Sequence, residues 1–198
     1  MAIASVETGK ITPGKKFVEN KAVLIGPEGE VLHVLHKNKP VPMVENSEPG
    51  DQVVPVISIP NGLISTSICY DADFPGLMRQ LGKKHSGLLV LPSGDWYAIS
   101  PFHSYMAAFR GIENGCSVFR QVSGGLSMAS DSRGRIIGTM DFYKPGEKYW
   151  MAQVPVHHEM TLYQVIGDSF AILCLVITAI GMGNVVAAWW IEKRKRRS

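Results

Sequence analysis

The chain has 198 residues, 45% of them hydrophobic and only 19% charged, where a soluble domain usually carries about a quarter. That suffices for one domain with a core and leaves length over, and the shortage of charge points to a membrane part. The net charge of +3 belongs to residues 192–198, EKRKRRS, with five basic and one acidic side chain; the rest holds 15 basic and 16 acidic groups, which excludes a basic nucleic-acid-binding face.

In chain order, the opening MAIASVETGK lacks the long apolar stretch of a signal peptide. FVENKAVLIGPEGEVLHVLHK reads as two strands around a Gly-Pro-Glu-Gly turn, a hairpin. NKPVPMVENSEPGD follows as a loop. QVVPVISIP and GLISTSIC read as the next two strands, and DFPGLMRQLGKKH as a helix with Phe74, Leu77, Met78 and Leu81 at helical spacing. SGLLVLPS has the continuous apolar character of a strand buried on both faces. SPFHSYMAAFRGIENG predicts a second helix with a Ser N-cap and a Gly stop. CSVFRQVS, GLSMASDSRGRIIGTMD with a tight SRGR turn, and KYWMAQVPV predict further strands. This alternation of strands and helices indicates α/β layers.

Residues 169–191, SFAILCLVITAIGMGNVVAAWWI, run 23 positions without a charge, long enough for a helix to cross a hydrocarbon core. Trp189 and Trp190 stand at one end and the basic tail follows at once. The excess of cations places the C-terminus in the cytoplasm and the body on the outer face. The expected organisation is a body over 1–160, a linker over 161–168, a transmembrane helix over 169–191 and a basic cytoplasmic tail over 192–198. A translocated body needs a targeting element ahead of it, so a longer parent protein is expected.

The three cysteines, Cys69, Cys116 and Cys174, show no disulfide framework and no zinc-ligand spacing. Cys116 reads as structural and Cys174 lies in the apolar run. Cys69, in STSICYDADFP, closes a strand and precedes a helix start, where N–H groups and the helix dipole favour a thiolate. It is either a core cysteine or a nucleophile, and a nucleophile needs a proton-transfer partner. None of the six histidines stands in a recognisable Cys–His protease arrangement. HKNKPVPMVE offers Lys37, Lys39 and Glu45, although Lys37 alone also reads as a solvated strand-end charge.

Four segments in order carry a resemblance: ENKAVLIGPEGEVLHVLHKNKPVPMVE, ISTSICYDADFPGLMRQLG, LLVLPSGDWYAISPFHSYMAAFRGIENGCSVFRQVSGGLSMASDSRGRIIG and TLYQVIGDSFAILCLVI. Together they resemble the carbon–nitrogen hydrolase, or nitrilase, superfamily, and within it most closely the C-terminal part of the apolipoprotein N-acyltransferases. The fold this implies is α/β: a partial α-β-β-α sandwich without its N-terminal elements, followed by one transmembrane helix. The chemistry implied is a Glu-Lys-Cys triad with Cys69 as nucleophile and Lys37 as the lysine. Glu45 would support the site, Tyr70 and Asp71 flank the nucleophile, and Glu113 would be a supporting carboxylate. Asp95 and Trp96 would stand at the substrate mouth. No metal or organic cofactor is implied.

The resemblance implies an N-acyltransferase that takes an acyl chain from a phospholipid as a Cys69 thioester and passes it to a lipoprotein's N-terminal amine. Two alternatives stay open: a membrane-tethered amidase or nitrilase acting on a small C–N substrate, and an inactive fragment of either. The sequence departs from the family at Lys39, where the family has histidine, and at Pro40, where it has leucine, so Lys39 rivals Lys37. The loop after Glu45 is short, as in compact amidases. The family's first triad glutamate should lie well before Lys37, yet only 36 residues precede it, and Glu7 and Glu19 stand too close. The chain is therefore expected to start inside the domain and to turn over poorly by itself. Oligomeric state is left open.

Overall fold

The computed structural model describes residues 18–146 and 149–196, together with the backbone of 2–8. The chain forms two compact units, residues 1–164 and 165–198. The first holds two sheets. Strands β1 (Ala2–Thr8), β2 (Glu19–Ile25) and β3 (Val31–His36) make an antiparallel sheet in that order. Pleating turns alternate side chains of β2 inward, and Asn20, Ala22 and Leu24 are the buried set. The expected hairpin turn closes between β2 and β3, where Gly29 takes a left-handed φ of 84° and donates to the Gly26 carbonyl at 3.1 Å. β1 was not expected from the sequence; its register comes from β2, a partner distant in the chain.

The second sheet runs β4 (Val56–Ile59), β5 (Gly62–Thr66), β6 (Leu88–Gly94), β7 (Ser117–Ser123), β8 (Leu126–Ser130) and β9 (Ile136–Asp141). Its centre, β5-β6-β7, is parallel, and its flanks are antiparallel. Parallel neighbours need crossovers. The first crossover holds a 3₁₀ turn (Cys69–Asp73) and two short helices, α1 (Pro75–Met78) and α2 (Gln80–Lys83); the second holds α3 (Phe102–Asn114). Leu89, Leu91 and Val118 from the strands meet Leu77, Met78, Leu81 and Ala107 from the helices. Burying a side chain of this size contributes about 1.5–3 kcal/mol. A smaller cluster joins Ala22 and Leu35 of the first sheet to Ile68 and Cys69, so the turn bearing the cysteine sits where the two sheets meet.

Three local expectations are corrected. The helix expected over 73–85 is a 3₁₀ turn and two single-turn helices, because Pro75 restarts the chain after Phe74 and Gly82 packs against the Gln164 side chain. Ser100 does not cap α3; its hydroxyl accepts the Leu126 N–H at 3.0 Å, and α3 starts after Pro101. The Gly stop is present, with Gly115 at φ 62°. KYWMAQVPV is not a strand over its described residues; Glu147 and Lys148 lie outside them. Trp150 instead stacks on Phe119 of β7 at 4.9 Å and donates Nε1–H to Gln121 at 2.8 Å, and the strap then reaches Gly115, whose carbonyl accepts the Glu159 N–H at 2.7 Å.

The chain boundary between the two units falls within α4 (Leu162–Ile166), and the second unit is dominated by α5 (Ser169–Lys195). Among the described residues α5 is the one helix long and apolar enough to cross a membrane. Its apolar side chains point to every side and residues 169–192 are exposed, where a helix of a water-soluble core would show one apolar stripe.

Candidate active site

Cys69 opens the 3₁₀ turn after β5 and holds a φ of 46°, a left-handed conformation that costs a residue with a Cβ about 1–2 kcal/mol. Asp71 holds the chain there. Its Oδ2 accepts the Ile68 N–H at 3.0 Å and the Ser67 hydroxyl at 3.2 Å, while its Oδ1 accepts the Lys39 N–H at 2.7 Å. This fully buried carboxyl thus ties the cysteine turn to the loop after β3. Burial pushes its pKa up, against the pull of the donated hydrogen bonds.

That loop carries Lys37, which is 1% exposed. Its backbone N–H continues the pairing with β2 by donating to Asn20 O at 2.9 Å, and its Nζ donates to Glu45 Oε1. Glu45 Oε2 accepts the Val41 N–H at 3.3 Å, which holds the carboxylate over the ammonium. Lys37, Glu45 and Cys69 line one cavity of about 940 Å³, with Gly94, Phe119 and Phe142 among its other walls. Lys39 points elsewhere, its Nζ over the Phe74 ring at 5.1 Å from the centroid.

A second cavity of about 540 Å³ shares Cys69, Glu45, Val44 and Gly94 with the first, and most of its remaining wall is apolar: Val41, Trp96, Ile99, Phe102 and Met106. Tyr70 also borders it and meets Phe74 edge-on at 5.1 Å. Cys69 thus stands between a cavity holding the Lys37–Glu45 pair and an apolar one. The Cys69 thiol donates to the Gly94 carbonyl at 3.4 Å. Burial pushes its pKa up, the Gly94 backbone contact and the positive charges of Lys37 and Arg120 pull it down, and Asp95 raises it. The net rise leaves a thiol at neutral pH, which a base must activate. Cys116 is pushed to about 12 by burial alone and is inert.

A carbon–nitrogen hydrolase family model matches residues 1–164. The chain belongs to the carbon–nitrogen hydrolase family. It is 28% identical to the apolipoprotein N-acyltransferase of Geobacter metallireducens over 184 residues, covering 81% of this chain and 35% of that one. To apolipoprotein N-acyltransferase 2 of Treponema denticola it is 25% identical, covering 93% of this chain and 39% of that one. The chain spans about a third of the length of these curated relatives. Among solved structures, an amidase from Nesterenkonia sp. superposes with a TM-score of 0.63 at 22% identity, over 73% of this chain and 57% of that one, which shows a shared fold. The expected fold, a partial nitrilase-type sandwich with one long apolar helix, is the fold of this chain.

The other residues singled out from the sequence fall into different places in this chain. Trp96, half exposed, lines the apolar cavity. The Asp95 carboxylate faces inward instead and is completely buried, bound by Arg120 and His103. Glu113 sits in the last turn of α3, pairs with Arg110 at 3.0 Å, and borders neither cavity. Sequence reasoning missed Arg120, His103 and Asp73. Arg120 was visible in principle: in β7 it shares the inward parity of Val118 and Val122, and a charge at an inward strand position needs a buried partner. His103 was set aside because no histidine fits a Cys–His protease pattern; its partners are carboxylates. Cys69, Asp95 and His103 bring potential metal-ligand atoms within 4.8 Å of one another. Arg120 engages both Asp95 oxygens, and the two His103 nitrogens face Asp95 and Asp73, so these donors are directed at each other rather than at a common ion.

Proposed function

We propose that this carbon–nitrogen hydrolase is a membrane-anchored N-acyltransferase that carries a lipid acyl group on Cys69. The apolar cavity against the cysteine carries the reading: an acyl chain fits its wall, while the ester carbonyl meets Lys37 in the polar cavity. The apolar helix α5 and the apolipoprotein N-acyltransferase relatives support it. In this mechanism the Cys69 sulfur attacks the ester carbonyl carbon and its proton passes to a carboxylate; Glu45, a wall of both cavities, is placed to take it. Lys37 stabilises first the thiolate and then the tetrahedral oxyanion, whose collapse expels the lipid alcohol with a proton. The resulting thioester is attacked by a lipoprotein's N-terminal amine, forming the amide and returning the thiol. Anchored by residues 169–191, with the basic tail in the cytoplasm, the body would meet lipid substrates at the outer face.

Hydrolysis of a small amide is the second reading, favoured by the amidase that shares the fold. Product analysis separates the two. Membranes containing the protein made from its own gene are given phospholipid plus a lipopeptide with a free N-terminal amine, and separately small amides. N-acylated lipopeptide that disappears with Cys69→Ala supports the acyltransferase. Ammonia released from amides with no acylated lipopeptide overturns it in favour of the amidase.

A further inference from the structure

The carbonyl that receives the Cys69 thiol belongs to Gly94, the last residue of β6, and the next residue is anchored more heavily than any loop requires. The Asp95 backbone N–H donates to Ser123 O at 2.8 Å. Its buried carboxylate accepts Arg120 Nη2–H at 2.8 Å and His103 Nδ1–H at 2.8 Å on Oδ1, and Arg120 Nη1–H at 2.9 Å on Oδ2. Arg120 is braced by the Ser104 hydroxyl at 2.6 Å. His103 Nε2–H donates to Asp73 at 2.9 Å, and Asp73 closes the same 3₁₀ turn that Cys69 opens. The contacts therefore form a ring: Cys69, its turn, Asp73, His103, Asp95, Gly94 and back to the thiol. Arg120 Nη2 also lies 2.9 Å from His103 Nδ1, so guanidinium and imidazole meet directly beside the Asp95 carboxylate they share.

We propose that Asp95 is a positioning residue for Cys69: clamped by Arg120 and His103, it fixes the Gly94 carbonyl against the thiol and sets by its own charge how readily that thiol ionises. The proposal rests on the reading of Cys69 as the nucleophile. Among the described residues, the charged groups around the sulfur are Lys37 and Glu45 from the loop after β3, Asp71 and Asp73 from its own turn, Asp95 after β6, His103 from α3 and Arg120 from β7. Asp95, within 4.8 Å of the thiol, opposes the thiolate, and Arg120 favours it. Removing either one leaves the other uncompensated.

The test is the pH dependence of Cys69 alkylation by iodoacetamide in the full chain in detergent, read by mass spectrometry of the Cys69 peptide. Asp95→Asn should lower the midpoint and speed alkylation at neutral pH, by about tenfold for each pH unit that the midpoint falls. Arg120→Gln should raise the midpoint, and so should His103→Gln. Fully buried Cys116 is the internal control, since it stays unlabelled only in a folded variant. Should Arg120→Gln expose it, His103→Gln supplies the second arm. Opposite shifts support the proposal; unchanged midpoints, or shifts of one sign in every folded variant, overturn it. Alkylation needs no turnover, so a failure to form thioester would defeat the functional reading and leave these shifts standing.

Discussion

Lys37 shows at the scale of one residue how the site holds a charge away from water. An ammonium that is 1% exposed is tolerable only beside its carboxylate, and Glu45 supplies it. Glu45→Gln should therefore destabilise the fold by on the order of 3 kcal/mol in denaturant unfolding, while Lys37→Met combined with Glu45→Gln should recover most of the loss. A double variant as unstable as the single would contradict the pairing. The Asp95–His103 pair gives a pH prediction. Burial alone would raise the Asp95 carboxyl; the His103 and Arg120 hydrogen bonds outweigh it and hold the group below its ordinary 3.8, so its contribution is lost as pH falls through that depressed value. Burial alone would lower His103; the Asp73 and Asp95 hydrogen bonds outweigh it and hold the imidazole above 6.5. Its contribution is complete below 6.5 and lost as pH rises through the raised value. Thermal melts should decline from neutral to alkaline pH in the native chain and less steeply in His103→Gln; equal slopes would contradict the charged pair. Cys69, Lys37 and Glu45 were singled out by a resemblance, and the structure brings the three to one cavity. The Arg120–His103–Asp73 support was not legible, since its members lie on three elements whose meeting is a tertiary fact.

Elements were legible where their signals are local. Gly29 and Gly115 mark a hairpin and a helix end because only a residue without a Cβ takes those positive φ values at little cost. β1 and the strap over 149–161 were not legible, since each takes its conformation from a distant partner: β2 for the strand, Phe119, Gln121 and Gly115 for the strap. An alternating apolar pattern in the strap was therefore satisfied by ring stacking rather than by a ladder. Gly115→Ala tests the junction. The new methyl would meet the Glu159 carbonyl and, at 3.0 Å, the Gln164 side-chain nitrogen, in addition to an unfavourable φ. A loss of roughly 2–4 kcal/mol in urea unfolding is expected, since strain and a backbone clash add. A change under about 0.5 kcal/mol, the range of a neutral surface site, would show that the strap does not pack there.

At the scale of the molecule, a carbon–nitrogen hydrolase domain and an apolar helix share one chain, and the proposed function needs both. α5 was legible almost to the residue because length and absence of charge are enough to define it; the structure extends it to Lys195. Membranes from expressing cells should retain the chain through alkaline carbonate washing, and deletion of 165–198 should release it. A full chain removed by the wash would contradict the anchor.

The central claim is that Cys69 carries an acyl group. The direct measurement is the mass of the Cys69 peptide after the protein, made from its own gene, has met phospholipid bearing an isotopically labelled acyl chain with no amine acceptor present. The account predicts a labelled acyl adduct on Cys69 that hydroxylamine removes and Cys69→Ala abolishes. An unmodified Cys69, or a labelled adduct elsewhere that persists in Cys69→Ala, would contradict it.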